Sequence, residues 1–200
     1  MRIACSVAAL AVACGGGGGT GSGGGSGSDP PIDPHLVYTD PTGGALRLIH
    51  DPASTSAQAV VLALVVGDQP LSGYAAGFNL PLDATRVALR AFTPGIGLDP
   101  GQPPIVAQAV IPKQGPLAGM LVTAQSQKAS GAGAVASDAA LAPGTVLYTV
   151  RLELAADATA GVIFDGTAAG FALPSGGLRN RVGTAVVQPG QVAIGKLEIR

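Results

Sequence analysis

Side chains able to do chemistry are scarce in this 200-residue chain. Histidine, the group best suited to acid–base work near neutral pH, occurs only at His35 and His50. Two histidines and a carboxylate could hold a metal ion, but this wide spacing lacks the short ligand intervals of zinc sites. Glutamate also occurs twice, at Glu153 and Glu198. Glycoside hydrolysis needs two carboxylates flanking one sugar bond, and nothing in the sequence brings these two together. Most aspartates stand beside proline or glycine, in Asp40-Pro41, Asp51-Pro52, Asp99-Pro100 and Asp165-Gly166. There the side chain bonds the backbone two residues on, which is turn chemistry. A single calcium ion in a loop containing Asp83 or Asp165 is one cation reading left open, because both offer hard oxygen ligands. No G-x-S-x-G elbow occurs. The expectation is therefore no catalytic residue, no metal site, no cofactor and no enzymatic activity.

Composition narrows the partners. Only 12% of residues are charged and the net charge is −1, against roughly 25% charged in typical domains. No basic patch is available to neutralise phosphates, so nucleic acid is not an expected partner.

The N-terminus points to export. Arg2 is a minimal positive start, Ile3 to Ala13 is short and uncharged, and Ala11 and Ala13 form a small-residue cleavage pattern. The apolar run falls far below the roughly 20 residues needed to cross a bilayer. The sequence Leu10-Ala11-Val12-Ala13-Cys14 resembles the bacterial lipobox, with Ala11 where leucine is usual and Leu10 one place early. That resemblance implies cleavage before Cys14 and lipidation of the new N-terminal cysteine. Residues 1–13 then form a lipoprotein signal peptide. Cys5 leaves with it, so the mature chain has no disulfide and no free thiol. Gly15 to Ser28 reads GGGGGTGSGGGSGS, a flexible disordered coil of about 20 Å root-mean-square span. A nucleotide-binding glycine loop would need a strand before it and a helix after it, and neither is expected. Residues 14–33 are thus read as an anchor and linker, and the protein as held in the cell envelope, on an outer membrane or cell surface.

Residues 34–200 must supply whatever else the chain does. Strands are expected at Ala45–His50, Ala57–Val66, Tyr74–Leu82, Arg86–Phe92, Ile105–Ile111, Ala118–Ala124, Thr145–Leu154, Gly161–Phe164, Arg181–Val187 and Gln191–Ile199. The unbroken apolar run at Ala57–Val66 suits a strand buried on both sides. In TVLYTVRLEL, Val146, Tyr148, Val150, Leu152 and Leu154 share one face by strict alternation. Pro81 must end its strand or lie at an edge. Ser130 to Ala142 reads as a loop or a short helical turn. Short strands separated by turn residues predict an all-β antiparallel sandwich over 34–200.

The segment Ala76-Gly77-Phe78-Asn79-Leu80-Pro81-Leu82-Asp83-Ala84-Thr85-Arg86-Val87-Ala88-Leu89 resembles one found in domains of the cohesin and carbohydrate-binding-module group. Gly77, Phe78, Leu82, Asp83, Val87 and Leu89 lie close to that pattern, and Val146 to Asp165 is similar to its late strands. The resemblance implies a nine-strand jelly-roll sandwich used for non-catalytic binding, with another surface or secreted protein as partner. Its alternative is a carbohydrate-binding module on a lipid tether, with a polysaccharide as ligand. Sugar-binding sandwiches stack exposed Trp or Tyr against sugar rings. The chain has no Trp, and of Tyr38, Tyr74 and Tyr148 only Tyr38 falls outside the expected core. Tyr38 is therefore the candidate ligand-binding residue.

Overall fold

The structure is a computed structural model that describes residues 33–53, 55–98 and 106–200. The signal segment, Cys14, the glycine run and Asp99-Pro100 lie outside the described residues. The described strands, in chain order, are β1 (Leu36–Thr39), β2 (Leu46–His50), β3 (Ala59–Val66), β4 (Leu71–Gly73), β5 (Ala75–Pro81), β6 (Val87–Pro94), β7 (Val106–Val110) and β8 (Met120–Ser126). They continue as β9 (Ala139–Leu141), β10 (Val146–Leu154), β11 (Gly161–Asp165), β12 (Ser175–Arg179), β13 (Ala185–Val187), β14 (Val192–Ala193) and β15 (Lys196–Ile199). Among the described residues, only two short 3₁₀ turns, Ile96–Leu98 and Pro189–Gln191, interrupt this all-β order.

Two five-stranded sheets form the sandwich. The first runs β14-β2-β3-β10-β6 and the second β13-β12-β5-β8-β7. All their pairings are antiparallel except β14 with β2. A three-stranded sheet, β1-β15-β11, and a two-strand ribbon, β4-β9, complete the fold. The chain passes from one large sheet to the other after β3, β5, β6, β8, β10 and β13, a winding that keeps most sequence neighbours on opposite layers.

Alternation sets the layers. In β5, Ala76, Phe78 and Leu80 are buried, whereas Ala75, Gly77 and Asn79 are only partly so. In β8, Leu121, Thr123 and Gln125 turn inward. The central β3 lies between β2 and β10, and seven of its eight residues are buried, which is why its sequence does not alternate. Pro81 ends β5 and is exposed. It therefore removes no ladder donor from the middle of the sheet.

Three sequence expectations need correction. Val146 is 38% exposed while Leu147 and Tyr148 are both fully buried. A register shift between Val146 and Tyr148 against β3 breaks the alternation there, so Val146 does not share the core face. Of the strand expected at Arg181–Val187, only Ala185–Val187 is strand (β13); 180–184 is the turn that joins it to β12, an unexpected strand just before. The strand expected at Gln191–Ile199 divides at Gly195 into β14 and β15. A Cβ on Gly195 would lie 1.9 Å from the Thr39 carbonyl oxygen; without one, the chain can leave the first sheet for the small one.

The chain enters this body beside the start of β3. Pro34 accepts from Gln58 Nε2 at 3.1 Å, and the Leu36 amide donates to Ala57 at 2.9 Å. The finish of β3 marks the opposite end of the sandwich. Val66 N bonds Thr145 O, Gly95 N bonds Leu147 O, and Gly95 also meets Gln125 Oε1.

Candidate binding face

Strand register builds a shallow face on the outside of the second sheet. Ser175, Asn79, Val122 and Val110 form one row across β12, β5, β8 and β7. Gly177, Gly77, Ala124 and Gln108 form the next, and Arg179, Ala75 and Ser126 another. Small side chains at the centre leave a trough of about 300 Å³.

The glycines there are forced by close approach. Gly177 has φ +110°, and a Cβ on it would sit 1.9 Å from the Val187 carbonyl oxygen. A Cβ on Gly77 would lie 2.3 Å from the Thr123 carbonyl oxygen. Beneath the floor, Thr123 Oγ1 meets the Tyr148 hydroxyl at 2.7 Å and accepts from Phe78 N at 3.1 Å. Gln125 grips the Gly95 backbone, donating from Nε2 to the oxygen at 2.9 Å. These inward polar groups hold β5 and β8 in register under the face. Burial pushes the Tyr148 phenol well above its ordinary pKa, with the Thr123 bond opposing, so that partner stays a neutral hydroxyl.

The trough is nearly neutral. Among the described residues, Arg179 is the one ionisable side chain in its lining, and its Nη1 donates to Gly183 O at 2.8 Å. Asn79, Ser126 and Ser175 supply neutral hydrogen-bonding groups, and Phe78 turns its ring into the core at 1% exposure. With a single guanidinium and no carboxylate or imidazole, this lining can recognise a surface but holds no acid–base pair.

The residues singled out from sequence lie elsewhere. Tyr38 is not exposed: it is 8% accessible and packs edge-on to Phe164, with centroids 6.1 Å apart. Its hydroxyl donates to Leu48 O at 2.7 Å and accepts from Gly195 N at 2.8 Å. Desolvation raises its pKa far above the usual phenol value. The pairing of β1 with β15 draws the ring inward, so Tyr38 offers no platform for a sugar.

His50 Nδ1 lies 2.9 Å from Asp40 Oδ2, and its amide donates to Asp40 Oδ1 at 2.7 Å. His35 instead faces the Asp33 carbonyl oxygen. No group of three metal-ligating side chains occurs among the described residues. Glu153 is held by Arg151 at 3.0 Å and Arg90 at 2.9 Å, and Glu198 by Lys196 at 2.6 Å and by Arg200. Those contacts, Arg151 foremost for Glu153 and Lys196 for Glu198, lower both carboxyl pKa values.

Asp83 and Asp165 are matched turns. Each Oδ1 accepts from the amide and hydroxyl of the residue two ahead, Thr85 at 3.0 and 2.6 Å and Thr167 at 2.9 and 2.6 Å. The threonine hydroxyl is the main cause lowering each aspartate's pKa. Sequence reasoning found the turn at Asp165 but not the one at Asp83, and missed both threonines. It also missed the face itself: Gly177, Arg179 and Ala124 carry no motif, and only strand pairing assembles them.

No helix among the described residues is long and apolar enough to cross a membrane. No family model matches the chain, and no curated protein matches it. Among solved structures the chain is similar to the solution structure of CaCohA2 from Clostridium acetobutylicum. The two share 12% identity with a TM-score of 0.38, over 80% of this chain and 91% of that one.

Proposed function

We propose that this chain is an exported lipoprotein, anchored through Cys14, whose non-catalytic β-sandwich binds another protein through the outer face of its second sheet. The observation carrying the binding half is the neutral trough around Gly77, Gly177 and Ala124. A face built from glycine, alanine and serine lets a partner's larger side chains approach the backbone closely. Asn79, Ser126 and Ser175 then satisfy polar groups that the contact removes from water. The cohesin-like segment at 76–89, which includes Gly77 and Asn79, supports a protein partner. The burial of Tyr38 removes the residue on which the polysaccharide reading rested.

The anchoring half rests on the lipobox-like sequence before Cys14 and the glycine spacer after it. Stable membrane attachment needs more than one acyl chain, and lipoprotein modification supplies three. The glycine-rich segment after Cys14 would serve as the tether between that anchor and the sandwich.

Capture from membrane extract with the full chain as bait tests both halves. Ala124 sits on the trough floor between Gly77 and Gln108. Wild type should recover one protein in near-equimolar amount, and Ala124→Arg should lose it without losing thermal stability. Cys14→Ser should abolish incorporation of labelled palmitate and release the chain into the aqueous phase. Equal recovery by Ala124→Arg contradicts the face, and palmitate labelling that survives Cys14→Ser contradicts the anchor.

A further inference from the structure

The two large sheets end on four edge strands, β14 and β6 in one and β13 and β7 in the other. An edge strand offers a row of unpaired N–H and C=O groups, and folded proteins blunt such edges. Three are blunted here. β14 has two residues, and β13 has three with a register shift against β12. β6 carries Arg90, ends on Pro94 and has a register shift against β10. β7 is different. Its five residues keep unbroken register with β8 and include no charge and no proline. Gln108 is exposed, and Val110 is 43% accessible.

The sequence of that strand, Val106-Ala107-Gln108-Ala109-Val110, is a palindrome. In a two-fold symmetric pair, residue i of one copy meets residue j of the other, and j meets i. Antiparallel pairing centred on Gln108 therefore sets Ala107 against the partner's Ala109, Ala109 against the partner's Ala107, and Gln108 against the partner's Gln108. Every position in the ladder meets its equal. An axis passing through a residue is self-complementary whichever alternate set of backbone groups faces the open edge. The absence of charge along β7 means that the axis brings no like charges together. Two glutamine amides meeting there can each donate and accept.

We propose that the chain self-associates through β7, with a second copy's β7 added antiparallel, so that two five-stranded sheets become one of ten strands. A cleft of about 530 Å³ opens beside this edge, lined on the β6 side by Val87 and Leu89 and on the β7 side by Ala109 and Val110. Lys113 also borders this cleft, and the second copy extends its contact over the apolar part of the rim. A five-residue ladder with that rim is small against the roughly 1,200 Å² of a stable interface, so the dimer is weak and depends on concentration. The trough stays open on both copies, and the pairing holds whether or not the trough binds a protein.

Sedimentation equilibrium of the full chain in mild detergent, up to about 1 mM, tests this. Wild type should show a reversible monomer–dimer equilibrium. Gln108→Lys and Gln108→Glu should each weaken it at least tenfold while keeping the wild-type circular dichroism melt, since Gln108 is exposed. Mixing the two variants should restore the dimer by setting Lys against Glu across the axis. A wild type that stays monomeric throughout would overturn the proposal. So would a Gln108→Lys variant that dimerises as wild type does, or a mixture of variants that stays monomeric.

Discussion

Tyr38 shows how far a single residue can be read without its pairing partner. It follows the proline-rich end of the linker, and nothing local marks its side chain as buried. What buries it is β15, far along the chain, together with Gly195 just before it, which leaves room for the phenol and donates to its oxygen. Replacing Tyr38 with Phe should keep the ring in place and strand the Leu48 carbonyl and the Gly195 amide. Unsatisfied buried groups cost about 1–3 kcal/mol, so urea denaturation should show a loss in that range. An unchanged midpoint would mean that the hydroxyl is not holding β15 to β2. The aspartates were more legible. Asp51 and Asp165 bond the amide two residues ahead as expected, because that chemistry is local and needs only the next two positions. Asp83 does the same with no proline or glycine beside it to mark the turn, and Asp40, expected to do so, instead accepts from the His50 amide.

Strands were legible where the chain alternates or runs apolar, as in β3, β5 and β8. They were hidden where glycine or brevity removes the pattern. β1, β4 and β9 are too short to show a period, and β9 forms within the segment expected as a loop or helical turn. β12 begins Ser175-Gly176-Gly177, which reads as a turn. Both glycines are instead required by neighbours, with φ of +144° and +110°. Gly177→Ala should cost about 2 kcal/mol or more, from a backbone region costing roughly 1–3 kcal/mol plus a clash with the Val187 backbone. The β13 edge should detach first, seen as accelerated amide exchange at 185–187. Gly190→Ala, with open space around its Cβ position, should be nearly neutral and serves as the control. Equal effects from the two substitutions would refute the close-approach argument.

For the whole molecule, composition and alternation predicted an all-β sandwich over 34–200, and the two packed sheets have that architecture. Strand order was not legible, because alternation says which side chains turn inward and not which strands become neighbours. The trough depends on that order: Gly77 and Gly177 are distant in sequence and adjacent only because β5 pairs with β12. The claim that this face contacts a protein partner can be tested in place. A photo-crosslinking amino acid substituted at Ala124, in cells making the full chain, probes the trough directly. The same residue at Thr149, on β10 of the opposite sheet, provides the comparison. Irradiation should give one discrete protein adduct from position 124 and none from position 149. An adduct from 149 alone, or no protein adduct from 124, would contradict the assignment of the binding face.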